Sequence, residues 1–267
     1  MAKKNVTIVK PQSNVLINPP EFIKQGIGLE GIGEYVVPPR MKIVQKQAGE
    51  VILGKFSVGD VIAVPDMFPL YEPTRDDRGR LIEEEIIGLR FIPVFFFPEW
   101  VLWNPYELKS SLPATAGRTF DPSDPIAVKA RNPALRSEPF PGKEKLFLRY
   151  CEHLNFIVAL QNHPFESHII LSFARAEHFA GRQFCNLLKM RKAAIFGNVF
   201  EMRLNHRTNG QGDWWGFDIT NPDANPWVSK EEYVKFNTAH EELTRLKDSI
   251  KVNYDDEVEV SETETDF

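Results

Sequence analysis

The stretch EEIIGLRFIPVFFFPEWVLW (residues 84–103) decides how this chain is read. It stays apolar for longer than a half-exposed strand needs. Pro93 and Pro98 argue against a helix, because proline removes a backbone donor and clashes with the preceding turn. The expectation is one long, bent strand. Successive side chains of a strand point to opposite faces, so Phe95, Phe96 and Phe97 cannot all enter one core. Phe96, with Arg90 and Trp100 on the same parity, is expected to face away from Phe95 and Phe97, in a run that also holds Phe91 and Trp103. Either other elements cover both faces, or a ring stands open in a groove where a base can stack.

Outward from this run the pattern is mostly strand. RMKIVQ (40–45) follows the rigid VPP, GDVIAV (59–64) is a second strand, and PTRDDRGR (73–80) is a charged turn hinged on Gly79. LFLRYCEHLNFIVAL (146–160) and HIILSFA (168–174) read as strands, as do GNVFEMRLNHRT and DWWGFDI, which the turn NGQG (209–212) joins into a hairpin. Two helices stand out. EHFAGRQFCNLLKMRK (177–192) spaces Phe179, Ala180, Phe184, Leu187 and Leu188 by three and four and ends in bases. SKEEYVKFNTAHEELTRLKDSI opens with a Ser229/Glu232 capping box and puts Tyr233, Phe236, His240, Leu243 and Ile250 on one face. The proline-rich residues 105–145 are expected to form a long insertion loop with at most short helical turns.

This organisation predicts a mainly β protein with a few helices. Residues 1–33, with the glycine-spaced GIGLEGIGEY, form an extended N-terminal arm; 34–225 form the core, 226–250 a C-terminal helix and 251–267 a disordered acidic tail. Six or seven mostly antiparallel strands suit an OB-fold-like antiparallel barrel with long insertions and a C-terminal helix, and a sandwich is the alternative.

With 267 residues, 42% of them hydrophobic, the chain can fill a real core. It has no uncharged apolar run of membrane-spanning length, and no apolar stretch follows the basic MAKK, so a soluble, cytoplasmic protein is expected. Cys151 and Cys185 lie far apart with no CxxC, which suggests neither a disulfide framework nor a zinc site. Phosphate loops, dinucleotide fingerprints, HExxH and GxSxG are all missing, and the six histidines share no pattern. The acids at 83–85 read as a solvated turn edge. No catalysis, cofactor or metal is expected.

Charge is distributed unevenly. The last thirteen residues, DDEVEVSETETDF, carry seven acids (Asp255, Asp256, Glu257, Glu259, Glu262, Glu264 and Asp266) and end on Phe267. Without these seven the 37 acids fall to 30, against 32 bases, so the body is slightly basic. Between residues 175 and 207 lie Arg175, Arg182, Lys189, Arg191, Lys192, Arg203 and Arg207, with only Glu177 and Glu201 to offset them. Trp214 and Trp215 must lie on opposite faces of their strand, so one packs and the other needs another role. Across the turn, Arg203, Asn205 and Arg207 share a parity and line one face. A tryptophan beside a ladder of arginines offers what a single strand of nucleic acid needs, cations for phosphates and a ring for unstacked bases. The tail, acidic with a ring at its tip, imitates such a strand and is expected to compete for the same groove, then to dock into a partner when displaced.

VPPRMKIVQ, FIPVFFFPEWVLWNP, TFDPSDPIAVKAR, EHLNFIVAL, LSFARAEHFAGRQFCNLLKMRKAAIFGNVFE and the tail together resemble the single-stranded DNA-binding proteins of tailed phages. That resemblance implies an OB-fold and sequence-tolerant binding of single-stranded DNA in replication or recombination, in the host cytoplasm and without catalysis. It also implies an acidic C-terminus that contacts replication proteins. Self-association is compatible with it. The insertion at 105–145 and the long N-terminal arm depart from a minimal OB-fold. A virion or assembly protein that uses exposed aromatics for protein contacts is the main competing reading, and a nuclease is a third.

Overall fold

The computed structural model describes residues 38–46, 54–78, 88–165, 167–209, 212–222 and 225–246. The N-terminal arm, the acidic tail, Ile250 and residues 84–87 lie outside the described residues.

Among the described residues there are ten strands and three α-helices. The strands are β1 (Arg40–Ile43), β2 (Val61–Val64), β3 (Phe68–Tyr71), β4 (Leu89–Trp103), β5 (Thr115–Thr119), β6 (Ser137–Phe140), β7 (Lys143–Leu160), β8 (Ile169–Phe173), β9 (Phe200–Asn209) and β10 (Gly212–Thr220). The helices are α1 (Pro125–Arg131), α2 (His178–Arg191) and α3 (Lys230–Arg245). The sheet runs β10-β9-β4-β7-β8-β1-β2-β3, with β5 on the far end of β4 and β6 on β7. Its pairs are antiparallel except β1 with β8, so the protein is mainly β with an open mixed sheet. None of the described ladders joins β10 to β3.

The long run becomes the spine. β4 pairs with β7 from Phe91↔Leu160 to Trp103↔Arg149, and one irregularity between Pro93 and Phe95 leaves Val94 out of register. Both prolines fall where β4 has a strand on one side only, because β9 pairs with residues 89–91 and β5 with residues 100–103. A missing N–H there breaks no ladder. Helix α3 covers the gap, with His240 Nδ1 donating to the Val94 carbonyl over 2.8 Å.

The bulge changes the expected faces. An extra residue flips the side-chain alternation beyond it, so Phe91 and Phe96 enter one cluster while Phe95 and Phe97 enter another with Ile157 and Ile170. Arg90 therefore does not share a face with Phe96 and Trp100. The larger cluster is built on Phe184 of α2, whose ring meets those of Phe91, Phe156, Phe173 and Phe200. On the opposite face α3 brings Phe236 against Ile92, Val94 and Phe196. Both faces of the spine are covered, which is why three adjacent phenylalanines are tolerated.

The 105–145 segment is more regular than a loop. β5 and β6 extend the edges of β4 and β7, and α1 packs Ala127 and Ala130 on Trp100 and Tyr150. Its prolines start elements: Pro125 occupies the first turn of α1 behind the Asp124 cap, where a missing N–H costs nothing. Lys129 reaches Glu138 at 2.5 Å and the Tyr150 hydroxyl at 2.9 Å, tying helix to strands. β3 is a further strand with no alternating signal. The capping box at Ser229/Glu232 is present at the start of α3. Among the described residues no helix is long and apolar enough to cross a membrane.

Candidate nucleic-acid interface

The β9–β10 hairpin closes with Asn209 opposite Gly212 and continues through Trp214↔Arg207, Gly216↔Asn205 and Asp218↔Arg203. Directly opposed residues of an antiparallel pair project to the same side. Arg203, Asn205, Arg207 and Trp214 therefore line one face of the hairpin. Trp215 lies on the other, half-buried against the main core, with its ring 4.9 Å from that of His206. Its backbone is fastened to the Gln45 amide, which accepts from the Trp215 N–H at 3.0 Å and donates to its carbonyl at 2.8 Å.

Carboxylates answer the arginines. Arg207 Nη1 meets Glu177 Oε1 at 3.0 Å, and Nη2 donates to Asp218 Oδ1 at 2.8 Å and to the Phe217 carbonyl at 3.0 Å. Trp214 Nε1 donates to the same Glu177 oxygen at 3.2 Å, and the Phe217 N–H to the other at 3.3 Å. Glu177 arrives from the single turn Arg175–Glu177 ahead of α2 and caps the Phe217 N–H of β10, an edge strand whose Trp215 backbone groups are held by Gln45. Gly216 makes the approach possible, since a Cβ there would stand 2.5 Å from Glu177 Oε1. Burial pushes the Glu177 carboxyl above its ordinary range, while Arg207, Trp214 and the Phe217 amide pull it down. Arg203 Nε donates to Glu201 Oε1 at 2.6 Å and Asn205 to Asp218 at 2.6 Å. At the hairpin tip, hydrogen bonds from Lys46 and His206 hold the Asp213 carboxyl below its ordinary value.

Helix α2 packs on the other face of this hairpin, so its bases and those of β9 flank the edge strand rather than forming one patch. A shallow groove between them is lined by Gln183, Asn186, Leu187, Met190 and Ile219. Arg182, Lys189 and Lys192 are exposed. So are two apolar side chains of α2, Phe179 at 69% and Met190 at 77%. At the end of α2, Arg191 is bonded to Asn221 at 2.6 Å and stands over the rings of Phe200 and Trp227. Trp227, 46% exposed, is the tryptophan most open to solvent, and the sequence reading passed over it. Its signal was its setting in NPDANPW, outside any alternating strand.

The aromatics of β4 are placed differently. Trp100 and Trp103 are buried, at 2% and 5% exposure, so the expectation of open rings does not hold for them. Arg131 lies 4.3 Å over Trp100, whose Nε1 donates to Glu152, and Arg175 lies 4.9 Å over Trp103, which stacks on His153. These rings seat guanidinium groups. Phe96 is half-buried with its ring 4.8 Å from Phe156, and Arg90 Nη2 donates to the Asn225 carbonyl at 3.3 Å. Arg175 has a left-handed φ of 48°, uncommon for a residue with a side chain. His178, two residues beyond Glu177's neighbour Ala176, bonds Glu152 at 2.9 Å, so this turn carries the chain from the Trp103 face of the sheet to the Trp100 face.

Sequence reasoning also missed a buried polar group inside the spine. Glu99, fully buried, pairs with Arg118 at 2.6 Å and accepts from Asn155 at 3.2 Å, beside the buried His153. Glu99 in FFFPEWVLW was the visible signal. Among the described residues no three His, Cys, Asp or Glu side chains come together as a metal ion requires. The tail residues Asp255 to Phe267 lie outside the described residues.

Residues 79–248, more than half of the chain, match the model of the Pam3 phage gp34-like protein family. The chain belongs to this family. It is thus a phage protein, and the matched segment takes in β4 to β10 and all three helices, whereas Gln45 and Lys46, which bond to β10, lie outside it. No curated protein and no solved structure matches the chain.

Proposed function

We propose that this phage protein binds single-stranded DNA without strong sequence preference during replication or recombination in the host cell, and that it is a binding module rather than an enzyme. The observation that supports this reading is the common face of Trp214, Arg203, Asn205 and Arg207. The ring offers a stacking platform for bases, and the arginines offer charge for phosphates. Arg182, Lys189 and Lys192 add to the positive field from across β10. The acidic tail, with Phe267 at its tip, competes for this face and, once displaced, recruits replication or recombination proteins. The OB-like architecture implied by the resemblance belongs to the same reading. Titrating labelled oligo-dT at two salt concentrations tests it. Tight binding that weakens with salt and quenches tryptophan fluorescence is expected, and no binding at low salt overturns it.

A second reading rests on the exposure of Phe179 and Met190 on the outer side of α2. In a virion or assembly protein these side chains would meet another subunit. Elution as a large oligomer that ignores nucleic acid favours it.

A further inference from the structure

We propose that the pocket holding the Glu177 carboxylate is a phosphate-binding site of the polynucleotide backbone, closed in the free protein by that side chain. This rests on the single-strand reading above and names one contact within it. Three N–H donors from three residues converge on one carboxylate: Arg207 Nη1 at 3.0 Å, Trp214 Nε1 at 3.2 Å and the backbone N–H of Phe217 at 3.3 Å. A guanidinium beside a backbone amide is the donor set that phosphate oxygens take in nucleic-acid complexes. The space is built for a close anion, because Gly216 presents no side chain where a Cβ would stand 2.5 Å from the bound oxygen.

The occupant is not part of the pocket. Donors come from β9 and β10, whereas Glu177 is brought by a single turn whose first residue, Arg175, has a φ of 48°. A carboxylate and a phosphodiester each carry one negative charge, so one replaces the other without changing the charge of the pocket. Burial disfavours the ionised Glu177, which lowers the cost of its leaving. Asp218 also faces Arg207, at 2.8 Å, and stays beside the guanidinium when Glu177 moves out.

The test uses the full chain carrying Glu177→Gln, with oligo-dT and inorganic phosphate as probes. The variant is expected to bind oligo-dT about tenfold more tightly than wild type, the effect of one charge-assisted contact no longer contested. Adding Arg207→Lys should remove the gain, because an ammonium lacks the guanidinium fork. If wild type binds oligo-dT and Glu177→Gln binds it equally well, the closed-site inference is overturned while single-strand binding stands. If inorganic phosphate alters tryptophan emission of the variant but oligo-dT binds neither protein, the anion pocket stands and its polynucleotide assignment falls. If neither probe acts on either protein, both readings fall. Should Glu177→Gln fail to fold, Glu177→Asp keeps the charge but withdraws it by one methylene, and the same gain is expected in smaller degree; no gain there overturns the inference.

Discussion

Trp214 stands directly opposite Arg207 across the β9–β10 ladder, and one oxygen of Glu177 is bonded to both. Ring and cation are thus held at a fixed separation by backbone register. Replacing Trp214 with Ala should weaken oligo-dT binding by about 1–3 kcal/mol while leaving the salt dependence unchanged, and Trp214→Phe should recover much of the loss. Arg203→Ala should instead flatten the slope of log affinity against log salt by about one. Equal slopes for wild type and Arg203→Ala would remove Arg203 from the phosphate contacts.

Gly181 of α2 lies against the core with no room for a side chain. A Cβ there would stand 2.6 Å from the Cβ of Phe173 and 3.1 Å from Leu154 Cδ1. Gly181→Ala should destabilise the fold by about 1–3 kcal/mol through overpacking, despite the better helix propensity of alanine. Urea denaturation should show a lower midpoint with an unchanged slope.

Phe184 is fully buried among four other phenylalanine rings. Phe184→Ala should cost about 3–5 kcal/mol, from lost burial and the cavity left behind, and Phe184→Leu much less. A melting temperature for the alanine variant within a degree of wild type would show that this ring is not central to the core.

His153 is buried, and burial, aided by the nearby Arg175 and Arg40, holds its imidazole well below the ordinary 6.5. The unfolded chain therefore takes up this proton first as pH falls. Stability from this group is complete above about pH 6.5 and is lost as the pH drops toward the folded-state value. Glu177, with its carboxyl raised by burial, acts in the opposite sense at lower pH, where its protonation favours the folded form. Urea midpoints should fall between pH 7.5 and pH 5.5, and His153→Gln should flatten that dependence.

Removing residues 255–267 takes away seven acids and the terminal ring. The shortened chain should bind oligo-dT several-fold more tightly at low salt, with the difference shrinking as salt rises, because a charged competitor is screened. Identical affinities for the two chains would leave single-strand binding in place but end the competition.

The local pattern of the sequence was enough to find the mainly β class, most of the strands and the two longer helices. Alternation marks β1, β2, β8 and the β9–β10 hairpin, the spacing of Phe184 and Leu187 marks α2, and the Ser229/Glu232 pair marks the start of α3. These features arise from neighbouring residues, and neighbouring residues are what a sequence displays. Residues 105–145 misled for the same reason. Their prolines read as loop, although Pro125 only opens a helix, and β5 and β6 form because longer strands lie alongside them.

The amino-acid order alone determined that the rings of the β4 run divide between two faces, that Trp214 and Trp215 part company, and that bases gather between residues 175 and 207. Tertiary structure alone decided which rings and charges remain available. The bulge at Val94 reverses the facing of everything after it, so Arg90 and Phe96 end on opposite sides. Trp100 and Trp103 are buried beneath Arg131 and Arg175, and Glu177 reaches Arg207 across thirty positions of chain. Alternation follows from the geometry of a single strand, whereas burial and ion pairing depend on which distant segment packs alongside, and that is set only when sheet register and helix placement are complete.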